Sequence, residues 1–368
     1  TCFRIMSILK LFTFAARKTC HKNLIIKNLS PFSANCAFDI CRRQFSNCGS
    51  EEGKEIRVPT PYGHIACKEY GNPNGHPVLA IHGLMDNCGS FEPLIPLIVK
   101  ENNLHIVAID ETGCGLSSHL PPGAEMTYFS LLKDMRRVTK YLKWKKFSLI
   151  GHSKGGLFSI FFASIFPQII QSVVSIDAIG PVVSKENYPF TNHEEMVIEK
   201  HLKFDELYLK NRNLDETAPI YTGTEAIKRI LTATLFGLSE KHSTATYDIT
   251  EKDARILMKR GTKPHKDGLI FTRDLRFKLP FLGLIPSEND FQQLSSRIKC
   301  DLLLLIATEG VCSRLDNRKW IETYRSNCRT FEQVTVEGKH YLHMQNAANV
   351  ASFINPFLKN SLRKGSVI

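Results

Sequence analysis

Three features are missing from this chain of 368 residues. It has no run of eighteen apolar residues, which excludes an ordinary membrane-spanning helix. Its eleven cysteines are scattered singly, without a C-x-x-C pair, so they fit neither a zinc-binding pattern nor a disulfide scaffold. We therefore expect reduced thiols. The chain also has no internal repeat and no low-complexity tract, which excludes a repeat architecture.

Acidic residues are almost absent from the first 46 residues, where eight lysines and arginines accompany a single acid, Asp39. This segment carries +7 of the formal net charge of +12, and the remaining +5 is spread along the chain. A nucleic-acid-binding surface is therefore not needed to explain the charge, and we expect no nucleic-acid partner. A basic leader that contains serine and phenylalanine but hardly any acid is typical of a mitochondrial transit peptide.

We predict that residues 1–50 are such a leader and that the protein is mitochondrial, with a cytoplasmic or a peroxisomal location as alternatives. The segment RQFS at 43–46 resembles the setting in which these leaders are cut. Lys10 interrupts the apolar run that a secretory signal would need, whereas a tail without fixed structure has a similar composition. Met6 is the first methionine and is a candidate for the true start.

From residue 51 onward, strand patterns alternate with helix patterns. Residues 56–69 alternate apolar and polar side chains around a PYG turn, which predicts a hairpin. Apolar residues at helical spacing predict a helix within 127–143. Short apolar runs predict buried strands at 77–81, 104–109, 147–150 and 171–176. This order predicts an α/β fold with a mostly parallel central sheet flanked by helices.

The pattern changes between residues 181 and 295, where charged, helix-like stretches such as 194–210 and 224–236 alternate with turns. An insertion of this length is too long for a structureless loop, so it predicts a helical cap. The strand pattern returns at 301–307, followed by a helical pattern at 318–326 and an alternating pattern at 330–336. The predicted domains are a leader (1–50), a core in two parts (51–180 and 296–360), a cap (181–295) and a tail (361–368).

The segment GHSKG at 151–155 lies between a predicted buried strand and a predicted helix at 157–166. A serine hydroxyl is a poor nucleophile at neutral pH, so hydrolysis needs a base, an acid that orients the base, and donors for the oxyanion. Small residues on both sides of Ser153 permit the sharp strand-to-helix turn that exposes a nucleophile. This context predicts that Ser153 is a covalent nucleophile. The alternative is a structural glycine-rich turn.

His340 follows the last predicted strand, which matches the order serine, acid, histidine. We predict that it is the general base, with a surface loop histidine as the alternative. Asp177 and Glu309 both end strands and are both candidates for the acid. We favour Asp177, because the rigid segment AIGP follows it. His152 and His343 are interpreted as packed side chains rather than bases.

Together these motifs resemble the α/β-hydrolase superfamily over nearly the whole chain after residue 55. They are HG at 82–83, DETGCGLS at 110–117, GHSKGG at 151–156 and GKH at 338–340. The segments LMKRGT at 257–262, GLIFTRD at 268–274 and HM at 343–344 are similar to the serine hydrolase-like proteins, a cap-bearing family often associated with peroxisomes. The chain ends in GSVI, which lacks the Ser-Lys-Leu type of peroxisomal signal, so that location is not carried over.

The resemblance implies an oxyanion hole formed by the backbone N–H groups of Leu84 and Lys154. It further implies a small-molecule acyl substrate, no cofactor and no metal. Lys154 stands where this superfamily often has an apolar or aromatic residue. Its ammonium either favours an anionic substrate or extends to solvent.

We expect hydrolysis of an ester or related acyl bond through a Ser-His-acid triad and an acyl-enzyme intermediate. Haloalkane dehalogenase or epoxide hydrolase chemistry on the same fold needs an aspartate where Ser153 stands. The alternative from a different class is a catalytically silent hydrolase-fold protein that binds a partner. Asp110, Gly113, Gly115 and Ser117 are expected to shape a loop near the site. In the cap, Arg273 and Asp274 are expected to pair with each other or with the core.

Overall fold

An eight-stranded sheet forms the centre of the fold in this computed structural model. Ten strands lie in the described part of the chain, which are β1 (Lys54–Thr60), β2 (Gly63–Gly71), β3 (His76–Ile81), β4 (Leu104–Ile109), β5 (Phe147–His152), β6 (Ile170–Ile176), β7 (Thr262–His265), β8 (Gly268–Phe271), β9 (Asp301–Ala307) and β10 (Thr330–Val336). The order in the sheet is β1-β2-β4-β3-β5-β6-β9-β10. From β4 to β10 all neighbours are parallel, whereas the β1–β2 hairpin is antiparallel to β4. The predicted fold class is confirmed.

The structure describes residues 53–127, 129–180, 190–210, 218–232, 249–279, 287–314 and 317–365. These residues all belong to one unit, Ser50–Ile368. The predicted leader at 1–50 lies outside the described residues, and both it and the mitochondrial location stay predictions. In the described part of the chain, no helix is both long and apolar enough to cross a membrane.

Helices cover both faces of the sheet, because the central strands are apolar on both sides. The α-helices among the described residues are α1 (Ile95–Glu101), α2 (Ser130–Tyr141), α3 (Lys154–Ile165), α4 (Phe190–Lys210), α5 (Gly223–Leu231), α6 (Glu251–Gly261), α7 (Glu288–Ser295), α8 (Arg318–Asn327), α9 (Leu342–Gln345) and α10 (Ala347–Gly365). Side chains of α2, α3, α7 and α8 form one buried cluster with the sheet, and α1, α9 and α10 contribute to a second. All residues of β4, β5, β6 and β9 are buried between these layers.

The predicted cap region contains the described helices α4, α5 and α6 and also a small antiparallel hairpin of β7 and β8. We did not predict this hairpin from the sequence, because each strand has only four residues and β7 contains Pro264. The predicted boundary at 295 assigns α7 to the cap. Phe291 of α7 is buried and lies 5.0 Å from Phe161 of α3, so α7 packs with the core helices.

The predicted tail at 361–368 begins too early. Helix α10 continues to Gly365, and Ser361 within it is buried. The side chain of Gln171 donates a 2.7 Å hydrogen bond to the carbonyl of Ser361, which ties this last stretch of helix to β6. Helix α10 therefore includes residues 361–365, which we had predicted to be part of a tail.

Arg260 of α6 attaches the cap to the core through a buried ion pair. Its guanidinium lies 2.8 Å from the carboxylate of Asp110 and also contacts Glu55. Asp110 is fully buried and accepts hydrogen bonds from the backbone N–H groups of Cys88 and Leu116. Asp110 thus shapes the loop after β4, as expected, and it also fixes the position of α6.

We expect that replacing Arg260 by methionine lowers the free energy of unfolding by about 3 kcal/mol, because Asp110 would stay buried without a counter-charge. Urea denaturation with linear extrapolation measures this change. Arg255→Met is the matched control, since Arg255 lies on the same helix but is exposed and pairs only with Glu251. Equal stability of the two variants would show that the buried pair does not hold the cap.

Candidate active site

Ser153 lies at a sharp turn between β5 and α3. Its backbone has φ 52° and ψ −122°, a combination that residues other than glycine rarely adopt and that costs on the order of 1–3 kcal/mol. Two glycines make the turn possible. A Cβ atom on Gly155 would lie 2.1 Å from the carbonyl oxygen of Ile81, and one on Gly151 would lie 2.3 Å from that of Gly155. The turn places Ser153 at the carboxyl edge of the sheet, where α/β proteins build their sites.

His340 lies between Ser153 and Asp177. Its Nε2 is 2.9 Å from Oγ of Ser153, and its Nδ1 is 2.5 Å from Oδ2 of Asp177. In the tautomer that satisfies both contacts, Ser153 donates to Nε2 and the Nδ1–H group donates to Asp177. The three residues come from the turn after β5, the end of β6 and the loop after β10. The structure therefore brings together the three side chains that we predicted to form a triad.

Asp177 is held rigidly at the end of β6. Its carboxylate accepts hydrogen bonds from the backbone N–H groups of Ala307 (3.2 Å) and Val311 (2.9 Å). A Cβ atom on Gly310 would lie 2.3 Å from this carboxylate, so the adjacent loop needs glycine there. The other candidate, Glu309, is exposed, and its backbone N–H donates to the carbonyl of Gly338. Of the two acids, only Asp177 contacts His340 in the described structure.

Leu84 and Lys154, the predicted oxyanion donors, both lie at this edge of the sheet. Lys154 is the first residue of α3, so its N–H has no acceptor within the helix. Its side chain is an ion-pair partner of the buried carboxylate of Glu111 and lies over the ring of Phe277. The Lys154 side chain is 12% exposed and its ammonium is paired with Glu111, so it neither extends to solvent nor offers a free charge to a substrate. Both sequence-based interpretations of this side chain are wrong, because neither considered Glu111.

Two further histidines pack behind His340. The rings of His152 and His343 lie 4.0 Å apart between centroids, and both are fully buried. Burial lowers the pKa of His152 well below its ordinary value and lowers the pKa of His343 to about 3. Nε2 of His152 lies 2.9 Å from the carbonyl of His340 and, as the donor, holds that residue's backbone. Both rings are therefore neutral packing groups, as interpreted from the sequence.

Asp86 and Tyr341 are not among the site residues predicted from the sequence. The hydroxyl of Tyr341 donates a 3.1 Å hydrogen bond to the buried carboxylate of Asp86. Burial raises the pKa of Asp86 above its ordinary value. Both residues line a cavity of about 190 Å³, which Leu84 also lines. Asp86 could have been predicted as a site residue, because it lies in the loop directly after the HG motif. The cap residues that line the cavity lie near no such motif, so the sequence does not point to them.

One trio in the described part of the chain consists of residue types that bind metals. Ligand atoms of His82, Glu111 and Cys114 lie within 4.8 Å of one another. Nδ1 of His82 donates to the carbonyl of Gly83, its Nε2 accepts from the backbone of Glu111, and the Glu111 carboxylate pairs with Lys154. Burial raises the pKa of Cys114 well above its ordinary value, which disfavours the thiolate that a metal needs. We assign no metal to this trio.

Comparison with known proteins shows the fold and the family of this chain. Residues 76–219 match the family model described as the alpha/beta hydrolase fold. The chain is 31% identical over 310 residues to a serine hydrolase-like protein of Danio rerio, and this alignment covers 83% of this chain and 88% of that relative. It is also 31% identical over 322 residues to a probable serine hydrolase of Drosophila melanogaster, covering 85% and 90% respectively. A solved structure of a hypothetical protein from Pseudomonas aeruginosa PAO1 has a TM-score of 0.66 at 27% identity, over 82% of this chain and 99% of that one. The chain therefore belongs to the serine hydrolase-like protein family of the α/β-hydrolase superfamily.

Proposed function

We propose that this protein hydrolyses an ester or related acyl bond of a small molecule, with Ser153, His340 and Asp177 as its catalytic triad. One observation carries the proposal: the His340 imidazole lies 2.9 Å from the Ser153 hydroxyl and 2.5 Å from the Asp177 carboxylate. Such an arrangement of nucleophile, base and orienting acid activates a serine. Membership of a hydrolase family supports the same class of reaction.

The reaction begins when Oγ of Ser153 attacks the acyl carbonyl carbon and His340 takes the hydroxyl proton on Nε2. Asp177 stabilises the resulting imidazolium without accepting its proton. The tetrahedral intermediate collapses, His340 returns the proton to the leaving group, and the acyl group stays on Ser153. A water molecule then attacks the acyl-enzyme, His340 again takes and returns a proton, and the carboxylic acid leaves as Ser153 is restored.

The developing oxyanion needs hydrogen-bond donors that are in place beforehand. The backbone N–H groups of Leu84 and Lys154 would supply them, and one such donor typically lowers the barrier by about 3 kcal/mol. Lys154 also opens α3, whose N-terminus favours negative charge. Its ion pair with Glu111 fixes the side chain, so the backbone donor lies on a rigid element.

The acyl-enzyme intermediate gives a direct kinetic test. With 4-nitrophenyl acetate we expect a burst of nitrophenolate of about one equivalent per protein, followed by slower turnover. Acid-quenched samples should contain an acetyl adduct on the peptide that includes Ser153. His340→Gln is the control, because it removes the base and keeps a side chain of comparable size. If folded wild-type protein releases nitrophenolate no faster than this variant, both with this ester and with mono-4-nitrophenyl glutarate, the protein is a silent binding protein instead.

A further inference from the structure

Three cations line the cavity beside the proposed catalytic site. They are Arg229 of α5, Arg273, which follows β8, and Lys278. None of the three forms an ion pair or hydrogen bond within the described residues. Arg276, by contrast, forms an ion pair, since its guanidinium lies 2.7 Å from the carboxylate of Asp274. Of the two expected pairings, that between Arg273 and Asp274 is absent from the described residues, whereas Asp274 contacts the core through His119 and the carbonyl of Gly113. Arg273 lines the cavity.

The positive charges that line the cavity outnumber the negative charges that line it. Asp86 is the one acidic residue among the described residues that line it, and its carboxylate accepts from Tyr341 rather than pairing with an arginine. Burial lowers the pKa of Arg273, and the nearby charge of Arg229 acts in the same direction. Asp86 attracts Arg273 electrostatically, but the two side chains form no ion pair or hydrogen bond. The half-buried guanidinium therefore keeps N–H donors that an anionic ligand could use.

The cavity reaches Leu84, one of the two residues whose N–H groups would hold the acyl carbonyl. Tyr341 directly follows His340, and Leu84 carries one of the proposed oxyanion donors. An acyl chain whose carbonyl oxygen reaches Leu84 would therefore extend into this space. The volume of about 190 Å³ is slightly larger than a cavity of about 150 Å³ that holds benzene, which leaves room for a short chain. Part of the wall is apolar and suits methylene groups, with Ile249, Leu257 and Phe271.

We propose that the substrate is a short acyl ester or thioester whose acyl chain ends in a carboxylate, bound by Arg273 together with Arg229 and Lys278. The substrate class rests on the function proposed above. A guanidinium donates two parallel N–H groups to a carboxylate, and the two neighbouring cations add attraction without further geometric demands. The preference for an anionic substrate, which the sequence suggested for Lys154, is thus assigned to the cations of the cap.

Binding of glutarate tests the anion site without turnover. Calorimetry at low ionic strength should detect glutarate binding to the wild-type protein and weaker or no binding of the neutral glutaramide. Arg273→Gln should weaken glutarate binding by roughly tenfold to a hundredfold, the usual range for a hydrogen bond to a charged group, and Arg273→Lys should restore part of the loss. Arg255→Gln is the matched control, because Arg255 is an exposed cap arginine that pairs with Glu251, and it should bind as wild type. Equal binding of both ligands, or no glutarate binding, overturns the proposal.

Turnover of a matched ester pair tests the same site as a specificity element. The wild-type protein should hydrolyse mono-4-nitrophenyl glutarate with a kcat/KM at least about ten times that for 4-nitrophenyl pentanoate, and Arg273→Gln should bring this ratio close to one. Equal hydrolysis of both esters without glutarate binding overturns this inference and leaves the proposed function intact. Glutarate binding with no hydrolysis of either ester overturns the proposed function and leaves the anion site intact.

Discussion

Replacing Ser153 by alanine is expected to reduce kcat for ester hydrolysis roughly a millionfold, the loss typical of removing the nucleophile from a triad that acts as a unit. The change deletes only Oγ, the atom 2.9 Å from Nε2 of His340. Alanine carries the same Cβ as serine at φ 52°, so the turn keeps its conformation and its strain. The melting temperature should therefore stay close to that of wild type, while steady-state hydrolysis of a 4-nitrophenyl ester is lost.

A serine within α3 serves as the control for this substitution. The hydroxyl of Ser164 donates to the carbonyl of Phe161 within the helix and does not contact His340. Ser164→Ala should keep its activity despite the same chemical change. If Ser153→Ala retained the activity of the Ser164→Ala protein, Ser153 would not be the nucleophile.

Replacing Asp177 by asparagine is expected to reduce kcat about ten-thousandfold, because an amide cannot supply the charge that stabilises the imidazolium and favours the wrong tautomer. The side chain keeps its size, and its oxygen can still accept from the backbone of Ala307 or Val311. Glu309→Gln makes the same chemical change at an exposed position and should leave kcat unchanged. Measurement of kcat and KM for both variants with one ester separates the two candidate acids. A large loss in Glu309→Gln with full activity in Asp177→Asn would reverse the assignment.

The strands of the core could be predicted closely, because the pattern of apolar residues along each strand already shows which of its faces are buried. β4 and β10 begin and end at the predicted residues, since an apolar run and an alternating run both have clear limits. Helix α3 begins three residues before the predicted start, because glycines in its first turn mask the helical pattern. The cap hairpin escaped prediction because two four-residue strands are too short to show a period.

The site residues also differ in whether neighbouring or distant residues in the sequence determine their positions. Ser153 could be predicted because its turn depends on adjacent glycines. The choice between Asp177 and Glu309 depends on the spacing of β6 and β9, which brings the N–H groups of Ala307 and Val311 to Asp177. The ion pair of Lys154 with Glu111 joins residues far apart in the sequence, so no local pattern reports it.

Covalent labelling by a fluorophosphonate probe tests the central claim most directly, because the probe reacts with a serine only when a base activates it. Intact-mass and peptide mass spectrometry should show one adduct per chain, on the peptide that contains Ser153. The adduct should be absent in Ser153→Ala and form far more slowly in His340→Gln. A folded wild-type protein that acquires no adduct, or acquires it on a different residue, would contradict the account.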